Sequence, residues 1–286
     1  IPQLSLRVES YNDRFPGFAS AIRVSSVEDL VRALRPSPNS FTAAEEAALN
    51  ALLEDAAGCP SIANSRLRDQ AMAFREGSKA LVSLGLDAEF DFTSDAAADL
   101  RDLYGINIYD LAAAPAQAAA AVTALTTGIA RTVCIEAAAG LDTHGPEWAS
   151  AHPSALVDGF DVVAALIADL DSRPFKDTGE TWLDRTTVVA FSEFGRSTLL
   201  NSSGGRDHFL HNACVLAGGG VKGGRVIGAS SDVGMAPTPT DLASGLPSSS
   251  GEVVYPEHLF RGLLVGAGVD EDIGDLGVEP LTALYS

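Results

Sequence analysis

A chain that sets ionisable side chains directly after two apolar, β-branched runs has few ways to bury those runs without also grouping the charges, and residues 186–224 do this twice. Thr186-Thr187-Val188-Val189-Ala190-Phe191 has the length and composition of a buried central strand. Ser192-Glu193-Phe194-Gly195-Arg196 follows where that strand should end, and in open α/β sheets ligands bind at the carboxyl ends of strands. The loop Asn201-Ser202-Ser203-Gly204-Gly205 then leads to Arg206-Asp207-His208, to a second apolar run Ala213-Cys214-Val215-Leu216-Ala217, and to Gly218-Gly219-Gly220. Charges grouped at strand ends cost desolvation energy unless they are paired or used. The stretch is therefore read as a site and not as a turn carrying a surface salt bridge.

Upstream, Arg131-Thr132-Val133-Cys134-Ile135-Glu136-Ala137 reads as another strand, feeding directly into Gly140-Leu141-Asp142-Thr143-His144-Gly145. A helix is expected over 152–170, with Leu156, Phe160, Val163, Leu166, Ile167 and Leu170 on one face. Strand 131–137, helix 152–170 and strand 186–191 make a βαβ unit, whose strands should be parallel and whose crossover should be right-handed. Both polar clusters then lie on one edge of the sheet. The expected fold class is α/β, a largely parallel (mixed) sheet with helices on both faces.

The first half reads as a helical layer at about 26–128, packed on a site-bearing sheet core at about 131–286, in a single domain over 1–286 with no long linker. One or two short strands are expected within 1–24. A helix over 26–34 is capped by Ser25 or Ser26 and ended by Pro36 and Pro38. Helices follow over 41–57, with a Thr42 cap and the early Glu45-Glu46 pair, over 61–84, the most basic segment, over 95–103, and from 110 or 116 to 128, with Tyr104-Gly105-Ile106-Asn107 as a break. The Pro-, Ser- and Thr-rich run 237–250 reads as mobile surface, and a last helix over 253–264 carries His258 on its solvated face.

At 286 residues, 46% hydrophobic and 20% charged, the chain can bury a sizeable core and is too apolar to be disordered. Nineteen basic against 38 acidic side chains leave a formal charge of -19, a field that repels nucleic acid and anionic membrane surfaces. An anionic substrate then needs local positive charge from Arg196, Arg206, Lys222, Arg225 or a metal ion. No apolar run reaches membrane-spanning length. Cys59, Cys134 and Cys214 lack metal-type spacing, and buried free thiols are expected at the latter two. Ile1 is not an initiator methionine, so the chain reads as a processed, cleaved or truncated product.

Asp142, His144, Glu193, Asp207 and His208 form the carboxylate and imidazole set that a divalent ion uses. Asp-x-His puts both side chains on one side of an extended segment. The candidate metal ligands are Asp142, His144, Asp207 and His208, with zinc, manganese, magnesium or calcium left open; the candidate catalytic residues are Glu193, Arg196 and Arg206. The two arginines suit bidentate capture of an oxyanion. His211 is a candidate to orient a ligand through its other ring nitrogen, and His152 is expected to cap or pack at a helix start.

The ordered motifs Leu141-Asp142-Thr143-His144, Ser192-Glu193-Phe194-Gly195-Arg196, Gly204-Gly205-Arg206-Asp207-His208 and Leu216-Ala217-Gly218-Gly219-Gly220-Val221-Lys222-Gly223-Gly224 resemble the bacterial family known as domain of unknown function 1501. That family is similar in fold to the alkaline phosphatase superfamily, which includes sulfatases. The resemblance implies a metal-dependent hydrolase of phosphate or sulfate esters, with Asp142 and His144 matching the superfamily's Asp/His metal pair and His208 its late histidine ligand. Where superfamily hydrolases carry an Asp-His pair after the central strand, this chain has Glu193-Phe194. The resemblance also implies export to the periplasm or beyond, and a nucleophile-bearing segment upstream of Ile1 or on a second chain, so that these residues correspond to the C-terminal two-thirds of the fold. The rival expectation is a non-catalytic secreted protein that keeps the fold for binding or assembly.

Overall fold

In the computed structural model the described residues are 24–35, 42, 44, 45, 47, 48, 51, 52, 85–269 and 276–286. The strands expected before residue 24, the helix expected over 61–84 and Cys59 lie outside them. The chain divides into two compact units, 1–137 and 138–286. No helix among the described residues is long and apolar enough to cross a membrane.

In the first unit, Ser26 caps α1 (Val27–Leu34) by accepting a hydrogen bond from the Asp29 backbone N–H. Glu28 and Asp29 lie in the positive first turn, while Val27, Val31 and Leu34 form the buried stripe. The helix stops at Leu34 because Arg35, just before Pro36, is extended. Thr42 and Glu45 make a reciprocal cap: Glu45 Oε2 accepts from Thr42 N–H at 2.7 Å, and Thr42 Oγ1 accepts from Glu45 N–H at 3.3 Å. Helix α2 (Ala98–Tyr104) ends at Gly105, whose φ of 68° is the left-handed conformation that glycine adopts without a Cβ clash. The alanine-rich α3 (Ala114–Thr126) lets its neighbours approach closely, and Ala116, Ala118, Ala119 and Val122 are buried with Phe90 and Phe92.

In the second unit, α4 (Ala151–Ser172) buries Val162, Val163, Leu166 and Leu170, together with Asp169, whose carboxylate receives the Arg173 guanidinium at 2.7 and 3.1 Å. Strand β1 (Thr187–Ala190) pairs with β4 (Val215–Gly218), in register from Thr187 opposite Gly218 to Ala190 opposite Val215. Within the intervening loop, β2 (Gly195–Arg196) pairs with β3 (His208–Phe209), and further on β5 (Ala229–Ser230) pairs with β6 (Pro237–Thr238). Helix α5 (Pro256–Gly266) closes a core of Leu281, Ala283 and Leu284 with Leu216, Ile227, Leu242, Leu259 and Leu263.

The largely parallel α/β sheet with helices on both faces is not formed. The described residues hold five α-helices and three two-stranded sheets, each antiparallel. A strand is made by its partner, and apolar β-branched composition only makes a segment eligible. Residues 131–137 are irregular: Val133 and Cys134 are exposed, and the Glu136 N–H is taken by Gln117 Oε1 at 3.0 Å and not by a ladder. Val188 and Val189 are answered by Ala217 and Leu216 returning antiparallel. A parallel return needs a long crossover, usually a helix, whereas residues 191–214 form a looped excursion. The crossover therefore has no second strand to reach.

Three smaller expectations change with the fold. Residues 237–250 are tied down: Thr240 is buried and exchanges backbone hydrogen bonds with Glu252 at 2.7 and 2.9 Å. His258 is buried and not solvated, its Nδ1 on Glu279 O at 2.8 Å, which fixes the tail beside α5. Cys134 is exposed, whereas Cys214 is half-buried and burial pushes its thiol pKa up.

Candidate metal centre

The β2–β3 pairing sets up one face of the site. Arg196 stands directly opposite His208, so both side chains leave the ladder on the same face, and Phe194, two residues before Arg196, shares it. Phe194 stacks on His208 with ring centroids 3.8 Å apart, and the Arg196 guanidinium carbon lies 5.3 Å from the Phe194 centroid. The ring and the guanidinium thereby restrain each other before any ligand is present.

The other face is the segment 140–145. It is held against the loop by Asn201, whose Nδ2 donates to His144 O at 3.0 Å and to Asp207 Oδ1 at 2.9 Å. Asn201 Oδ1 accepts from the N–H groups of Ser203 and Gly205, so this one amide shapes its own turn and joins the two segments. A Cβ at Gly205 would lie 2.2 Å from the carbonyl carbon and oxygen of His144. Only glycine permits this approach.

Asp142 and His144, two apart on extended backbone, converge with His208. Asp142 Oδ1 lies 3.0 Å from His144 Nε2 and 2.8 Å from His208 Nε2, and the two Nε2 atoms are 3.1 Å apart. Nitrogen and oxygen ligands sit about 2.0–2.2 Å from zinc or a similar ion, which places them roughly 3 Å from one another. The triangle has that size, and its two-imidazole, one-carboxylate composition is a divalent-metal donor set. Behind it, His144 Nδ1 lies 3.2 Å from Asp207 Oδ1. That carboxylate assigns the proton to Nδ1 and leaves the Nε2 lone pair for a cation.

The charges follow the contacts. Hydrogen bonds from Arg196 and then His208 hold the Asp142 carboxyl well below the usual carboxylate range. Asn201 first, then His144, lower that of Asp207. The Asp142 side chain is 67% exposed while that of Arg196 is 13% exposed, so the cluster opens to solvent on one side and is backed by a fixed cation on the other.

Of the candidate residues, the structure brings Asp142, His144, His208 and Arg196 together and sets Asp207 behind His144. Glu193 is exposed, with no hydrogen-bond or ion-pair partner among the described residues. Arg206 faces away from the triangle: its Nη1 donates to Ser197 O and Thr198 O at 2.6 Å each, and its guanidinium lies 4.2 Å from the Trp148 ring centroid. His211 puts Nδ1 on Met235 O at 2.5 Å. His152 packs at the start of α4, its Nδ1 3.2 Å from the Thr143 hydroxyl. Sequence reasoning passed over Asn201 and Trp148; an Asn opening a Ser-Ser-Gly-Gly turn is the signal that points to the former.

A family profile described as Protein of unknown function (DUF1501) matches residues 15–244. The chain belongs to the DUF1501 family. The matched span contains every residue of the triangle, as well as Arg196, Asn201 and Asp207. Neither a curated protein nor a solved structure matches this DUF1501 chain.

Proposed function

We propose that Asp142, His144 and His208 hold a divalent cation and that this DUF1501 protein hydrolyses a phosphate or sulfate ester at the open side of the centre. The observation that carries the reading is the mutual contact of the Asp142 carboxylate oxygen and the two Nε2 atoms. With His144 Nδ1 facing Asp207, the His144 Nε2 lone pair and the Asp142 carboxylate oxygen meet His208 Nε2 at one point, where a divalent cation would take the place of the His208 proton. Bound there, a divalent ion would supply a Lewis acid and a water of lowered pKa.

The remaining work falls to the chain's own side chains. Asp207 and Asn201 keep the His144 ring in place, and Phe194 stacks on the His208 ring. Arg196 adds fixed positive charge in a protein whose net charge of -19 repels an anionic ester. The Thr143 hydroxyl is buried against His152, and Ser192 Oγ donates to Phe194 O at 2.9 Å. Attack by water is the step favoured here, because Thr143 is buried away from the open side and the Ser192 hydroxyl is spent on a backbone carbonyl. The motif likeness to the alkaline phosphatase superfamily supports the ester class and an exported location; the antiparallel hairpins add nothing to it. The test is turnover of aryl phosphate and aryl sulfate by metal-replete protein, with His144→Ala and His208→Ala losing both metal and turnover. Stable metal binding with no turnover of either ester would leave a structural or binding centre.

A further inference from the structure

Resting on the metal-centre reading above, we propose that Arg196 is a tethered cation that stands in for the divalent ion in the metal-free protein and competes with it for Asp142. Arg196 Nη2 donates to Asp142 Oδ1 at 2.6 Å, the same oxygen that both histidines touch, and Nη1 lies 3.4 Å from His144 Nε2. The guanidinium thus spans two of the three ligand atoms. It does not arrive there by chance rotation: Nη2 also donates to Leu141 O at 2.8 Å and Nη1 to Arg206 O at 3.2 Å, so two backbone carbonyls fix the plane of the group. The Arg206 carbonyl is itself held in place, because the Arg206 side chain anchors to Ser197 O and Thr198 O. A lysine ammonium, a point charge on a flexible stem, cannot span the same four acceptors.

Two consequences follow, of opposite sign. Without metal, Arg196 neutralises Asp142, so the carboxylate beside the two imidazoles already has a cation. With metal, the ion must share or take Asp142 Oδ1 and must sit near a fixed positive charge, and like charges a few ångströms apart repel strongly outside bulk water. The second effect dominates affinity. His144 keeps its contact with Asp207 and His208 its stacking on Phe194 when Arg196 is absent, so removing the guanidinium leaves both imidazoles held and removes the competition.

The experiment is calorimetric titration of the chelator-treated full chain with zinc or manganese, comparing wild type, Arg196→Met, Arg196→Lys and His144→Ala. Arg196→Met is expected to bind the ion at least about tenfold more tightly than wild type, with Arg196→Lys between them. Affinity in Arg196→Met equal to or weaker than wild type overturns the proposal. If His144→Ala loses binding while Arg196→Met is unchanged, the metal centre stands and only the role of Arg196 falls; if no variant binds an ion, the centre itself falls. Should Arg196→Met fail to fold by circular dichroism, arginine side-chain nitrogen resonances of the wild type decide. A shift of the Arg196 Nη signals at metal saturation supports the competition, and unmoved signals overturn it.

Discussion

Residues 85–126 and the two segments 140–145 and 191–214 solve the same problem, fixing an irregular backbone, by different physics. In the first, apolar burial leads: Phe90 is 0% and Phe92 1% exposed and the alanines of α3 are buried with them, while Arg101 Nη1 on Phe92 O and Ser94 O adds a polar tie. In the second, the ligand side chains Asp142, His144 and His208 are exposed, and order comes from partly buried groups: the Asn201 amide, the Arg196 and Arg206 guanidiniums on backbone carbonyls, and the contact of Gly205 with His144. A core of the first kind excludes water and is insensitive to one lost hydrogen bond. A scaffold of the second kind leaves Asp142, His144 and His208 open to solvent, within reach of a dissolved ion, and concentrates its vulnerability in a few atoms.

The comparison breaks most visibly at Phe90. Phe90→Ala should cost about 3–5 kcal/mol, the usual range for emptying a packed aromatic position, read as a fall in the urea midpoint. Its metal affinity, measured under native conditions, should stay that of wild type. Gly205→Ala should show the reverse balance. Its Cβ would collide with backbone at 2.2 Å, not with a movable side chain. A stability loss of about 1–3 kcal/mol, the range for overpacking, should accompany loss of metal binding as His144 is pushed from the triangle. Gly223→Ala, with nothing within 4 Å of the added methyl, is the control and should change neither. If Gly205→Ala binds metal as wild type does, the backbone approach does not position the site.

Asp207→Asn sharpens the same point at a smaller scale. The amide keeps the shape of the group but loses its charge against His144 Nδ1. Carboxylates behind metal-bound histidines typically account for about 10–100-fold in affinity, and a loss of that order, with little change in melting temperature, is expected. An unchanged affinity would mean that the negative charge behind His144 Nδ1 contributes nothing to metal binding.

How much of this was legible beforehand divides along the same line. Local signals were: the Ser26 cap, the stop before Pro36, the break at Gly105 and the alanine helix all follow from short-range stereochemistry. Asp142 and His144 were legible as a pair because alternation on extended backbone is a two-residue property. Pairing was not. Nothing in Thr187-Val188-Val189-Ala190 distinguishes a parallel neighbour at 131–137 from an antiparallel one at 215–218, and choosing the former produced the wrong sheet. His208 joins Asp142 through a hairpin register with Arg196, which a strand-end argument does not describe. Glu193 was singled out by its place after the apolar run, yet in the hairpin it is exposed and without partners among the described residues. Asn201 was missed because its importance lies in joining two distant segments.

The smallest expected effect tests whether the two units melt separately. Thr93 and Arg35 hold the Asp91 carboxyl below its ordinary range in the first unit, and the Thr181 N–H and hydroxyl do the same for Asp184 in the second. A carboxylate with a depressed folded-state pKa contributes stability that is full above its unfolded value, near pH 4, and is lost as pH falls through the folded value. Asp91→Asn and Asp184→Asn should therefore each lower stability slightly and by a constant amount from pH 7 to 5, with the difference from wild type shrinking below about pH 4. If the units are thermodynamically distinct, Asp91→Asn moves one calorimetric transition and Asp184→Asn the other. A single transition moved equally by both would show that the apolar core and the hydrogen-bonded site loop unfold as one cooperative body, and the loop would then draw on the stability of Phe90 and Phe92 as well as on its own hydrogen bonds.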